Sequence, residues 1–589
     1  MINLLIVRIN GIIHITYKKR FVGNKNISYI CTNKNSFMNI SSYKRKNHVV
    51  PRLLMADAYT IGSNDFESEK AKEKSVYYIT ARRFLDKINP VLYKKEDTRY
   101  ILSGVARIID FLFYAPITME EILEADAFLA NAKVTTKGLV KFNYPRELWV
   151  DIVENHNGRI PILIKGLPDG SAFYPHEPVI EIHNTVENFG VLAAWFESKS
   201  LQLWASTEMT TQLEHWILYY KDLLNGVYGD TMTPEAKDFT ARLMLHNFGD
   251  RAGICPQESD WLGETVTLSV AGTDTFSGGY CAWKNSDEAI GTALSVSALA
   301  HRNVESYETE FDCFEALYNS LANGEIGSFV ADCNDFFKAV ITTYGPLEIV
   351  DPRCLLGLAL RSVSENNGKI VVARPDSGIA VEQVLWLCRL AKQYGLYREI
   401  EVNGKIWYGA TTLKFIEGDG MKWADMKEIN AALMTEGFLP WEWGLYGVGG
   451  GLRNDIKRDN GSFKYALCAV GLENSPRVKF SETAGKSTLG GPFKLLRTPE
   501  ALAAGRTIVF WNEEGDDARV VYYDGTQENF FGDIMFENNL HIKAHIKEQL
   551  ATMPKRLIKD VPASDAVINK RLELLKIHAP EKLEFFNQN

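Results

Sequence analysis

From about residue 240 to residue 451 the sequence repeats one unit: a short apolar run, a polar glycine-containing loop, then a helix-like stretch. This alternation is how α/β folds are written, because neighbouring parallel strands need a crossover and the crossover is usually a helix. The pattern also says where chemistry belongs. Lys369-Ile370-Val371-Val372-Ala373 runs into Arg374-Pro375-Asp376-Ser377-Gly378, and Leu413-Lys414-Phe415-Ile416 runs into Glu417-Gly418-Asp419-Gly420. In a parallel barrel these positions gather at the carboxyl ends of the strands, where sites are built.

The flanks read differently. Residues 100–155 read as helices, with Ile101, Leu102, Val105, Ile108, Ile109, Phe111 and Leu112 at helical spacing. Arg159 to Thr185 switches to two β-rich segments broken by Pro168-Asp169-Gly170. Helical character returns at Thr211–Leu224, where Leu213, Trp216, Ile217, Tyr220, Leu223 and Leu224 form one apolar face. Residues 452–589 mix strand-like runs with helices. The chain has no internal repeat and no long low-complexity tract.

Charge narrows the partners. The net charge is −9, yet residues 1–52 hold ten Lys/Arg and no acid, leaving 55 basic against 74 acidic residues in the rest, about −19. That body does not attract nucleic acid in general, although local basic pockets for a small phosphate ligand remain open to it. Residues 1–52 read as a disordered extension or as upstream sequence from an early start codon; an organelle transit peptide is the weaker alternative. No apolar run reaches the roughly 18 residues of a membrane-spanning helix. Eight cysteines lie scattered without a CxxC pair, so neither a zinc site nor a disulfide framework is expected, and the thiols fit a reducing cytoplasm.

Several constellations carry chemistry. Gly447-Val448-Gly449-Gly450-Gly451 with Arg453, Lys457 and Arg458 could bring backbone N–H groups and cations to a phosphate, although such a run alone is usually only a turn. Arg374 and Asp376 set a cation and a carboxylate at a strand end, either as a surface ion pair or as ligands for phosphate and sugar hydroxyls. Asp419, between two glycines, invites the same pair of readings. His301 is either a hydrogen-bonded core histidine or a reactive one, with Asp332 as its orienting partner if the fold joins them. His246-Asn247-Phe248-Gly249-Asp250-Arg251 and Gly272-Thr273-Asp274-Thr275 combine an aromatic face, an arginine and an acid, which suits a flat polar ring such as a pyridine carboxamide.

Taken in register, HxFGxR, GTDT, the histidine after SVxxxxH, SxxxD, RPDSG, GDG and GxGGG resemble the nicotinamide phosphoribosyltransferases, a type II phosphoribosyltransferase family, from about Leu53 into the 490s. The resemblance implies an irregular α/β barrel over 206–451. It implies a second, mixed α+β domain built from 53–205 and 452–589, beyond a basic extension at 1–52. It also implies a homodimer with shared sites, in which Tyr59 stacks on nicotinamide in the neighbouring subunit and Phe248 closes the other face. Asp274 then accepts the carboxamide N–H, Arg251 and Arg374 surround the ring and the phosphoribosyl phosphate, and Asp376 holds ribose hydroxyls. Gly418, Asp419, Gly449, Gly450 and Arg458 surround ribose and 5′-phosphate, and Ser328 lines the site. His301 is implied to be phosphorylated by ATP, an optional coupling substrate, with Asp332 beside it. Magnesium is implied to arrive with phosphoribosyl pyrophosphate, and no protein metal site is expected. The pattern departs from the family at Asp250, Ala300 and Val448, and segment 380–412 is longer than usual. Ala300 bears most directly on ATP coupling. Two rivals stay open: a nicotinate enzyme of the same class, disfavoured by Asp274, and a silent sensor of nicotinamide mononucleotide, disfavoured by Arg374, Asp376 and Asp332.

Overall fold

A computed structural model describes residues 3–9, 12–18, 50–83, 85–341, 351–418, 420–454, 458, 461–481, 485–556 and 561–583. The chain divides into two compact units, Met1–Pro51 and Arg52–Asn589. In the first, Asn3–Ile9 pairs antiparallel with Ile12–Lys18. Most of the expected basic extension, 1–52, lies outside the described residues.

The second unit holds a seven-stranded parallel sheet. Its strands are β1 (Leu245–Asn247), β2 (Gly272–Thr273), β3 (Ser297–Ala298), β4 (Ile326–Val330), β5 (Ile370–Arg374), β6 (Leu413–Glu417) and β7 (Gly444–Val448), ordered β2-β1-β7-β6-β5-β4-β3. The sheet curls until its ends meet, because Leu294, three residues before β3, makes a parallel bridge to Gly272 of β2. Helices such as Leu355–Ser364, Ala380–Gln393 and Trp423–Thr435 cover the outside. The expected irregular α/β barrel is thus present at the level of a curled parallel sheet. Between β5 and β6 the segment adds a hairpin, Tyr397–Val402 with Lys405–Ala410, turned by Asn403 and Gly404, both at positive φ.

Strand parity decides what faces the barrel interior. Side chains alternate across a strand, and the lining takes Met244, His246 and Phe248 around β1, Ile326 and Ser328 from β4, and Ile370, Val372 and Arg374 from β5. Along β5 this interior row changes from apolar to cationic toward the carboxyl end.

A six-stranded antiparallel sheet draws on the segments that flank the barrel on both sides in sequence. Phe463–Val470 pairs with Ser75–Ala81, which pairs with Ile180–Asn184, then Ile162–Gly166, then Val520–Asp524. The helix Leu203–Tyr228, longer than the Thr211–Leu224 stretch legible in the sequence, packs on the short strand Tyr100–Ile101. Several of its buried polar side chains tie it to its surroundings: Thr211 Oγ1 accepts from the Ile101 N–H at 3.0 Å, Gln212 Oε1 accepts from Trp423 Nε1 at 3.1 Å, and Tyr220 donates to Asn430 Oδ1 at 3.0 Å. Asn430 also accepts from Tyr446 of β7 at 2.8 Å, tying this helix to the barrel.

The expectation of helices across 100–155 needs correction. Tyr100–Ile101 is a strand paired with Ala172–Phe173, and the helix begins only at Val105. Its start is set by Asp169, whose carboxylate accepts from the N–H groups of Val105 and Ala106 at 3.0 Å each, a cap supplied from a distant turn. Lys133–Thr135 and Gly138–Val140 form a hairpin inside the same stretch.

Candidate active site

Seven strand ends converge on a cavity of about 300 Å³ lined by His246, Phe248, Asp274, Ser328 and Arg374 at its polar end, with Ile370, Trp441 and Leu445 among its apolar walls. The aromatic platform is Phe248, and its place is cut out by glycines. A Cβ on Gly447 would lie 2.0 Å from Phe248 Cε2, and one on Gly418 would lie 3.2 Å from it. A Cβ on Gly449 would meet the Phe248 carbonyl oxygen at 2.8 Å. The glycine-rich run therefore seats the ring loop as well as presenting backbone to a ligand. Val448 is buried in the core, and its carbonyl accepts from the Phe248 N–H at 3.1 Å.

Across Gly418 from the ring stands Asp376, with Oδ1 3.7 Å from where the Gly418 Cβ would be. Its Oδ2 is 3.6 Å from His301 Nε2, and Asp332 Oδ1 is 3.3 Å from the same nitrogen. The His301 side chain is 43% exposed, and its Nε2 faces two carboxylates. Asp332 is fixed from its other oxygen, Oδ2, by Ser377 Oγ at 2.7 Å; its buried Oδ1 has no aligned hydrogen bond among the described residues. The turn that carries Asp376 and Ser377 depends on Gly378, at φ +108°, and on Gln383, whose side chain donates to the Ser377 carbonyl at 3.0 Å.

Arg374 donates from Nη2 to the Leu299 carbonyl at 3.2 Å and keeps a buried Nε with no hydrogen-bond partner among the described residues. An unpaired buried donor is costly unless a ligand meets it. Asp274, at the end of β2, accepts from His246 Nε2 at 3.0 Å and from Ser295 Oγ. Burial acts to raise its carboxyl, but those two hydrogen bonds, with the charges of His246 and Arg374, outweigh burial and hold it below the usual carboxylate range. It is an ionised acceptor at neutral pH.

Phe248, Asp274, Ser328, Arg374, His301, Asp332, Asp376 and Gly418 are thus brought together at one rim, with Gly449 beside the ring loop. Arg251 is exposed on the short turn Asp250–Ala252 and does not line the cavity; Asp250 accepts from Ser259 Oγ at 2.7 Å, which anchors that turn. Tyr59 is 71% exposed and also stands apart from the lining. Arg458 is exposed as well, and its charge opposes the rise that Asp57 and burial impose on the Tyr59 phenol, which puts the two within electrostatic reach of each other. Asp419 lies outside the described residues. His246 and Ser295 belong to the site without having been assigned a role from sequence. His246 opens HxFGxR and Ser295 opens SVxxxxH, so both stand in the motifs; their contacts with Asp274 depend on strand register and on a loop, which the sequence does not display.

Residues 243–475, which include all seven barrel strands, match the nicotinate phosphoribosyltransferase (NAPRTase) family. A nicotinamide phosphoribosyltransferase of Xanthomonas campestris pv. campestris is 26% identical over 404 residues, 67% of this chain and 79% of that protein. One from Acinetobacter baylyi is 25% identical over 334 residues, 53% of this chain and 61% of that protein. The crystal structure of human nicotinic acid phosphoribosyltransferase aligns with a TM-score of 0.51 at 14% identity, covering 88% of this chain and all of that one, a likeness of fold. The resemblance carried by the motifs holds.

Proposed function

We propose that this chain transfers the phosphoribosyl group of phosphoribosyl pyrophosphate to nicotinamide, giving nicotinamide mononucleotide and pyrophosphate for NAD synthesis. The observation that carries the choice of pyridine is Asp274, an ionised carboxylate on the wall of a cavity that also holds the Phe248 ring. An amide offers N–H donors to that acceptor, whereas nicotinate would set two carboxylates together in a partly dry site, where like charges repel.

In the transfer the ring nitrogen of nicotinamide attacks the anomeric carbon, the new C–N bond forms as the C–O bond to pyrophosphate breaks, and positive charge builds on the ribose between them. No proton need move. The residues position and neutralise: Phe248 stacks the ring, Asp376 takes ribose hydroxyls across Gly418, and Arg374 meets anionic oxygen with its unpaired Nε. Orientation of this kind is worth about 7–11 kcal/mol of barrier. Magnesium belongs to the substrate in this reading, riding on the pyrophosphate. Asp332 Oδ1, buried without a hydrogen bond among the described residues, and Asp376 are oxygen donors of the kind that suits it. His301 is the group to which ATP would couple, with Asp332 and Asp376 facing its Nε2. Tyr59 and Arg458, exposed and apart from the lining, suit a homodimer in which they complete the neighbouring site.

One observation favours a nicotinate enzyme, the Arg374 Nε in the same cavity, unpaired among the described residues, which a substrate carboxylate would satisfy. The purified protein with phosphoribosyl pyrophosphate and nicotinamide is expected to release one pyrophosphate per mononucleotide formed. Mononucleotide binding without pyrophosphate release at saturating substrates would instead indicate a sensor.

A further inference from the structure

We propose that His246, Ser295 and Gly272 form a positioning set that fixes Asp274 with one oxygen occupied and the other presented to the substrate, and that this set governs selection of an amide over a carboxylate. The inference rests on the reading of Asp274 as the pyridine-side acceptor.

The register of β1 and β2 places His246 directly opposite Gly272. From there the imidazole reaches along the neighbouring strand to Asp274, two residues on, and to do so it crosses the α-carbon of Gly272. A Cβ at that position would stand 2.6 Å from His246 Nδ1 and 3.2 Å from its Cγ, closer than atoms can pack. The glycine of the GTDT motif is therefore where the ring lies. Its φ is not in the left-handed region, so the requirement is one of space rather than of backbone conformation.

The bridge between Gly272 and Leu294 brings Ser295 to the other flank of Asp274. Both donors, His246 Nε2 at 3.0 Å and Ser295 Oγ, reach the same oxygen, Oδ1. Among the described residues no hydrogen bond reaches Oδ2. The side chain of Asp274 is 40% exposed, so without these donors it could turn toward water or toward Arg374. His246 also meets the Phe248 ring, with centroids 5.3 Å apart, so the acceptor and the stacking platform are set by one imidazole. An ionised Asp274 fixes the tautomer, because Nε2 must carry the proton it donates.

The readout is the ratio of kcat/KM for nicotinamide to that for nicotinate, measured for His246→Leu, His246→Gln, Gly272→Ala, Ser295→Ala and the double variant Gly272→Ala/His246→Leu in the full chain. His246→Leu and Gly272→Ala are each expected to lower the ratio about tenfold, the size of one charge-assisted hydrogen bond, through a raised nicotinamide KM and with the KM for phosphoribosyl pyrophosphate held. His246→Gln, whose amide N–H can stand where Nε2–H does, is expected to restore most of the ratio. Gly272→Ala is expected to add nothing once His246 is leucine. Ser295→Ala, an exposed hydroxyl whose loss does not threaten folding, is expected to lower the ratio a few-fold. A wild type that prefers nicotinamide, with ratios unchanged in His246→Leu and Ser295→Ala, would overturn the proposal. Additive losses in the double variant would overturn the assignment of Gly272. A wild type that prefers nicotinate contradicts the function proposed above instead, so the two failures are separable.

Discussion

The aromatic platform of the site and the glycine-rich run that begins in β7 are one construction: a Cβ on Gly447 would fall 2.0 Å from Cε2 of Phe248. Phe248 follows β1, Gly447 lies in β7, and the two strands are neighbours in the sheet, with His246 opposite Gly447. The residue type at 447 is set by the ring packed against it, independently of any phosphate.

Gly447→Ala should therefore displace the ring. The expected result is a nicotinamide KM raised about 3- to 10-fold, the scale of one lost stacking contact, with overpacking costing about 1–3 kcal/mol of stability. Steady-state kinetics beside urea denaturation separates the two effects.

Asp274→Asn removes the charge and supplies an amide that can turn its own N–H toward a carboxylate. The nicotinamide-to-nicotinate preference is expected to fall about 10- to 150-fold, matching the roughly 1.5–3 kcal/mol of a charge-assisted hydrogen bond. Competition between the two pyridines reads this directly.

His301→Ala is expected to abolish any gain in product yield from ATP while leaving basal transfer measurable, since the ring faces Asp332 and Asp376 rather than the pyridine end of the cavity. Equal ATP stimulation in wild type and variant would refute the coupling role. Ala300, one of the positions at which the motif pattern departs from the family it resembles, makes a small ATP effect in the wild type the expected starting point.

Stability should fall as pH rises because of Glu208. It is fully buried on the long central helix, and burial pushes its carboxyl up to about 7 despite hydrogen bonds from Tyr93 and Gln212. A raised folded-state value means that the acid form is favoured on folding. Its contribution is complete below the ordinary glutamate value near 4.3 and is lost as pH climbs through about 7, a change on the order of 3 kcal/mol. Glu208→Gln should flatten the urea-denaturation free energy between pH 5 and pH 8. The slope is the readout, whatever constant offset the amide brings.

What was legible in the sequence was local. Lys369–Ala373 running into RPDSG and Leu413–Ile416 running into the GDG loop are the strands β5 and β6, because strand periodicity and turn residues are short-range signals. Ile101 and Leu102 fit a helical spacing, yet they pair as strand because their partners, Ala172 and Ser171, lie some seventy residues away. The pairing of Phe463–Val470 with Ser75–Ala81 is likewise set by tertiary packing and not by spacing. In the site, the residue types were visible and the register was not. That Ser377 holds Asp332, or that His246 crosses Gly272 to reach Asp274, follows only once the strands are laid side by side.

The most direct test of nicotinamide transfer is the wild-type ratio of kcat/KM for nicotinamide to that for nicotinate, with saturating phosphoribosyl pyrophosphate and magnesium and without ATP. An ionised Asp274 with both protein donors on one oxygen predicts a ratio well above one, about tenfold or more. Nicotinate turning over faster would contradict it.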